Sequence, residues 1–197
     1  MTLEHINQTS PERYTLVFTD GTELKTTLSV VMECGLYSGM ELDSAGFESL
    51  SGKSALALCK ARALRIINTR AMSRYEMQSK LREKGEKPEH AEYCADWLCE
   101  LGLISDESYA GMLVRHYSDK GYGRGRIVQE LRRRGIAQEL WDEALNEMPE
   151  PDDKLRRFVE TRVSDPSDKA QIQKVSSALY RRGYSWDEIR HAIEEIQ

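Results

Sequence analysis

Hydrophobic positions follow one interval near the start of the chain and another thereafter. Residues 1–12 are mostly polar and are expected to fray. From Tyr14 the interval is two, with Tyr14, Leu16 and Phe18 on one face and Leu24 and Leu28 continuing the period. That alternation predicts a half-buried hairpin. Asp20-Gly21 between its arms predicts a type I′ turn, whose two central positions both need positive φ. A two-stranded hairpin is marginal alone. The segment "SVVMECGLYSGMELD" is therefore expected to help cover it, as a short helical turn ending at Gly35.

From Ser54 the interval lengthens to about 3.6, the helical period: Ala57, Leu58, Ala61, Leu64 and Ile67 share a face. Ser73-Arg74-Tyr75-Glu76 is a capping box, in which a serine oxygen and a glutamate carboxylate cover orphan backbone N–H groups. The helix it opens runs through Met77 and Leu81 to Gly85, a residue suited to the left-handed position that ends a helix. Pro88 opens the next helix, which carries Ala91, Cys94, Ala95 and Leu98 and closes at Gly102.

The plan then recurs. Met77, Ile127 and Val175 align without gaps, as do Leu81, Leu131 and Leu179, and Gly85, Gly135 and Gly183. A second capping box, Ser185 to Glu188, opens the last helix. Self-similarity at a near-constant spacing is the mark of a stacked array. The expected organisation is a small N-terminal β-containing domain at 1–53 and three-helix repeats at 54–103, 104–148 and 149–197. The fold class is mainly α: tandem three-helix bundles in an elongated curved array, preceded by a small domain with a β-hairpin.

Composition narrows the class. No stretch approaches the ~20 apolar residues of a membrane span, and the start "MTLEHINQTS" lacks the basic and apolar parts of a secretory signal. Cys34, Cys59, Cys94 and Cys99 show no CxxC pairing, which favours reduced thiols in a cytoplasmic protein. The net charge of −5 hides an uneven layout. Residues 1–52 carry 2 basic and 8 acidic side chains, residues 53–134 carry 17 and 11, and residues 135–197 carry 9 and 14. The middle part is suited to a polyanionic partner, because charge acts over about a Debye length.

Between the aligned leucine and glycine stand Arg82-Glu83-Lys84, Arg132-Arg133-Arg134 and Tyr180-Arg181-Arg182. Cations at a helix C-terminus serve the helix dipole, at ~0.3–1 kcal/mol each. The second cluster exceeds that need: Arg115, Lys120, Arg124, Arg126 and Arg132 to Arg134 put seven cations in residues 115–134, opposed there only by Asp119 and Glu130. These seven, with Arg82 and Lys84, are the candidate binding surface for phosphates or an acidic protein face. "KGYGRGR", Lys120 to Arg126, reads either as a plain connection or as a loop whose amides could wrap a phosphate.

"GFESLSGKS", Gly46 to Ser54, is no nucleotide loop: five residues precede its Gly-Lys-Ser where four are needed, and no buried strand leads into it. His5, His90, His116 and His191 are scattered, no GxSxG elbow occurs, and no carboxylate pair stands in an apolar setting. No catalytic residue, metal site or cofactor is expected. The chain reads as a binding protein and a monomer.

Taken together, "SRYEMQSKLREKG" (73–85), "ADWLCELGLISDESYAGMLVRHYSDKGYGRGRIVQELRRRGI" (95–136) and "LWDEAL" resemble the RecX family of RecA regulators. The resemblance covers about 54–147 well and 152–196 more loosely. It implies a non-enzymatic modulator that binds the RecA recombinase filament on single-stranded DNA and hinders filament growth, ATP hydrolysis, strand exchange and co-protease action. It also implies contact with single-stranded or duplex DNA, through the filament or the basic surface. Two alternatives stand beside it: a free-standing helix-turn-helix DNA-binding module, disfavoured by the acidic flanks, and a helical scaffold for an unrelated protein.

Overall fold

A computed structural model describes residues 1–148 and 152–196. The chain divides into two compact units, Met1–Arg70 with Met77–Leu103, and Ala71–Glu76 with Ile104–Gln197.

The first unit opens with three antiparallel strands, β1 (Leu3–Ser10), β2 (Arg13–Phe18) and β3 (Glu23–Thr27), in the order β1-β2-β3. The segment expected to fray is therefore a strand. Leu3 is fully buried and pairs with Phe18. A register shift between Leu3 and His5 places the apolar Leu3 and Ile6 three apart, which conceals the period of two. The β2–β3 turn also differs from expectation: Gly21 has φ +81°, and no non-glycine among the described residues has a positive φ. Gly21 N–H donates to the Phe18 carbonyl and Phe18 N–H to the Thr22 carbonyl, both at 2.9 Å. This is a three-residue loop in which glycine alone takes the left-handed position. The Asp20 carboxylate accepts the Thr22 N–H at 3.0 Å, which suits a residue kept at negative φ.

Short helix α1 (Leu28–Glu33) follows, ending at Gly35 with φ +58°. Helix α2 (Ser44–Ile67) starts ten residues earlier than the apolar period suggests. Asp43 caps it, accepting the Gly46 N–H at 2.7 Å. "GFESLSGKS" thus lies within a helix. The first half of α2 covers the sheet: Phe47 meets Phe18 edge-on at 5.2 Å, and the Ser54 hydroxyl donates to Thr26 Oγ1. Its second half buries Cys59 and Ala63 beside α4 (Pro88–Glu100), which carries buried Ala91, Cys94, Ala95 and Leu98. All four cysteines are free thiols.

Helix α3 (Arg74–Glu83) is shared: its first turn belongs with the second unit and the rest with the first. The second unit continues with α5 (Asp106–Asp119), α6 (Arg124–Arg133) and, after a 3-10 turn at Gln138–Leu140, α7 (Trp141–Asn146). Then come α8 (Asp152–Glu160), α9 (Lys169–Arg181) and α10 (Trp186–Glu194). Its two cores are built alike: Tyr109, Val114, Ile127, Leu131 and Leu145 in one, Leu155, Val159, Val175, Leu179 and Ile189 in the other. The aligned positions behave as the alignment requires. Met77, Ile127 and Val175 are buried, as are Leu81, Leu131 and Leu179. Gly85, Gly135 and Gly183 all have positive φ. The "MPEPDD" linker falls partly outside the described residues. No described helix is long and apolar enough to cross a membrane.

Candidate functional site

The basic cluster is organised by an acid. Glu130 sits on α6, four residues after Arg126 and three before Arg133, and is only 3% exposed. It accepts Arg126 Nη2 at 2.9 Å, and Arg133 through Nη2 and Nε at 2.6 and 3.0 Å. Arg134 Nε stands 4.0 Å away. Burial alone would raise the Glu130 carboxyl. The hydrogen bond and charge of Arg133, the Tyr117 hydroxyl and the charge of Arg126 outweigh that and hold it below its ordinary value.

Arg134 turns inward. Its guanidinium bonds Glu76 Oε1 at 3.3 Å and the Tyr109 hydroxyl, and lies over the Tyr109 ring. Its carbonyl accepts the Ser73 hydroxyl at 2.5 Å. This side chain ties the first turn of α3 to α5 and α6.

Three of the nine expected cations gather around one depression. Lys120, Arg126 and Arg133, with Tyr117, Tyr122 and Gln129, line a hollow of about 470 Å³ whose wall includes Glu130. Three others are engaged by the acidic stretch after Gly135. Arg124 pairs with Asp142 at 3.3 Å, Arg115 pairs with Glu147 at 2.5 Å, and the Arg132 guanidinium stands over the Trp141 ring. Arg82 and Lys84 lie in the other unit: Arg82 donates to Gln78 Oε1 at 3.2 Å, and the Lys84 carbonyl accepts from Arg62. Asp142 on α7 and Glu147 just beyond its end thus join Asp119 and Glu130 in opposing the cations of 115–134.

The phosphate-loop reading of "KGYGRGR" is overturned by where its amides point. Gly123 N–H donates to the Arg182 carbonyl at 3.0 Å and Gly125 N–H to the Gly183 carbonyl at 2.9 Å. Both glycines have negative φ; they are required by proximity, since an added Cβ on Gly123 would fall 2.6 Å from the Gly183 carbonyl carbon. Arg182 completes this joint. It donates to the Gly121 carbonyl at 3.3 Å and lies over the Tyr122 and Phe158 rings. The acidic neighbours of Tyr180-Arg181-Arg182 favour a structural role for that cluster, and Arg182, aligned with Arg134, takes one as the same kind of staple. Sequence reasoning missed Glu130 as organiser, although spacings of four and three from Arg126 and Arg133 allow both pairs.

Residues 59–98, 105–145 and 150–193 match the first, second and third three-helix domains of RecX. A regulatory protein RecX from Trichlorobacter lovleyi is 35% identical over 154 residues, which span 74% of this chain and 100% of the relative. The chain belongs to the RecX family. A regulatory protein RecX from Halorhodospira halophila is 32% identical over 133 residues, 66% of this chain and 83% of the relative. A crystal structure of a regulatory protein RecX superposes with a TM-score of 0.78 at 24% identity, covering 98% of both chains. RecX from Lactobacillus salivarius gives 0.65 at 24% identity over 72% of this chain and 96% of that one. Both share the fold. Gly135 and Gly183 lie in the segments that match the second and third domains, and the depression lies wholly in the segment that matches the second.

Proposed function

We propose that this chain is a non-enzymatic regulator that binds the RecA recombinase, chiefly its filament on single-stranded DNA. It slows filament growth, and with it ATP hydrolysis, strand exchange and co-protease action, in the cytoplasm during DNA repair and the SOS response. Membership of a family of regulatory proteins supports the role. The observation that carries the site is the depression of Lys120, Arg126 and Arg133. A nucleoprotein filament offers phosphates and acidic side chains, the groups that such a cationic hollow attracts. Successive three-helix repeats add contacts of their own, so moderate single sites sum to avidity.

Reading α3 or α6 as a recognition helix has less support. Such a helix presents its N-terminal residues to base edges. Here the N-terminal turns of α3 and α6 cover the Arg134–Gly135 and Arg182–Gly183 corners.

Arg134 is engaged inside the fold, so reversing its charge would test folding rather than binding. The informative variant is Lys120→Gln with Arg126→Gln, Arg133→Gln and Glu130→Gln, which removes the three cations without leaving a buried carboxylate unpaired. Inhibition of RecA's DNA-dependent ATPase is expected to weaken about tenfold or more. Undiminished inhibition by a folded variant removes the depression from the interface.

A further inference from the structure

The second helix of each repeat ends in the same corner. The N–H groups of Glu86, Ile136 and Tyr184 donate to the carbonyls of Leu81, Leu131 and Leu179 at 3.1, 3.1 and 3.3 Å. Gly85, Gly135 and Gly183 stand at φ +86°, +68° and +93°. This Schellman ending leaves the carbonyl before the glycine (Lys84, Arg134 or Arg182) without an intrahelical partner.

Two of the corners are covered in the same way. The Ser73 hydroxyl donates to the Arg134 carbonyl, and a Cβ added to Gly135 would fall 2.4 Å from Tyr75 Cγ. Gly123 N–H donates to the Arg182 carbonyl, and a Cβ added to Gly183 would fall 2.2 Å from Arg126 N. Ser73 and Gly123 are equivalent in the repeat alignment, as are Tyr75 and Gly125. In both joints the first turn of one second helix seals the corner of the next repeat's second helix.

Among the described residues the third corner has no such cover. A Cβ added to Gly85 meets nothing within 4 Å, and Lys84 and Gly85 are exposed. The Lys84 carbonyl accepts Arg62 Nη1 at 3.2 Å, and Arg62 is held by Glu86. Glu86 occupies the position at which the covered corners carry the buried Ile136 and Tyr184.

We propose that the Lys84–Gly85 corner is a docking socket for the capped N-terminal turn of a helix in a partner protein, with Arg62 as a displaceable clasp. The two filled sockets define the occupant's chemistry. It needs a serine or glycine N-cap that donates to the Lys84 carbonyl, and two residues later a flat or absent side chain that rests on Gly85. The exposed Lys84 and Lys87 favour an acid in that turn, as Glu76 provides in the filled socket beside Arg134.

The test uses the full chain, ¹⁵N-labelled, and a synthetic peptide of residues Ala71–Glu83, the chain's own socket-filling segment. The Gly85 amide resonance should shift saturably at millimolar peptide. The paired change Arg62→Ala with Glu86→Gln removes the clasp without leaving an unpaired carboxylate. It should tighten binding about fivefold, the value of one competing hydrogen bond. Gly85→Asn, which tolerates the left-handed conformation but fills the open space, should abolish peptide binding as followed by the Lys84 and Glu86 amides. Unmoved Gly135 and Gly183 amides report an intact fold. A Gly85 resonance that stays still in both the native chain and the clasp variant overturns the proposal. So does an equal shift with the same peptide in reversed order, or undiminished binding by Gly85→Asn.

Discussion

Glu130 shows what one residue can decide. Three arginines converge on a carboxylate that is almost wholly enclosed, and against the opposing effect of burial Arg133, the Tyr117 hydroxyl and Arg126 hold it below its ordinary value. Removing the enclosed carboxylate takes a hydrogen-bonded counter-charge from Arg126 and Arg133, which stay largely hydrated, and from the mostly buried Arg134. Glu130→Ala is therefore expected to destabilise the fold by roughly 1–2 kcal/mol, measured by urea unfolding. The same group sets a pH dependence. Its carboxyl is held below the ordinary value of 4.5, so the folded chain takes up its proton less readily than the unfolded chain. The stability it contributes is complete above pH 4.5 and disappears as pH falls through the lower folded value. Thermal melts of Glu130→Gln should show a flatter decline below pH 4.5 than the native chain; parallel declines would assign the acid sensitivity elsewhere.

Among elements, the ends of the second helices carry the most information. All three aligned glycines sit in the left-handed region, yet their surroundings grade from open space at Gly85, through a side chain at Gly135, to backbone at Gly183. Alanine at Gly85 should cost about 1 kcal/mol, the conformational strain alone. Gly135→Ala should cost more, because the Tyr75 ring must move, and Gly183→Ala most, because the backbone at Arg126 cannot give way. Urea midpoints should fall in that order. Equal losses would mean that the repeat joints contribute nothing beyond the helix endings. The positive φ was legible in the alignment. The grading was not, since it depends on which segment lies against each corner.

For the molecule as a whole, the linear charge layout is only half the electrostatic picture. Residues 115–134 read as a cationic block facing an acidic tail. In the fold, Asp142 and Glu147 reach back to Arg124 and Arg115. Both pairs are exposed, so each is weak and screened by salt. Asp142→Asn with Glu147→Gln should free two cations without disturbing the core. RecA-filament binding at low salt should strengthen by about two- to threefold, and its decline with added salt should steepen. Unchanged affinity at both ionic strengths would place Arg115 and Arg124 outside the interface.

The repeat, its buried leucines, its terminal glycines and the family itself were legible in the amino-acid sequence. They depend on local geometry, a helical period and a left-handed helix ending, that recurs wherever the same residues recur. Strand β1 was hidden because a register shift breaks its alternation, and the early start of α2 because a cap and a sheet-facing turn lack the helical apolar period. The Glu130 pairs follow helical spacing, but which arginine staples a joint or lines the depression was settled by packing alone. A guanidinium's role is set by the groups within about 4 Å of it, and most of those groups come from distant parts of the chain.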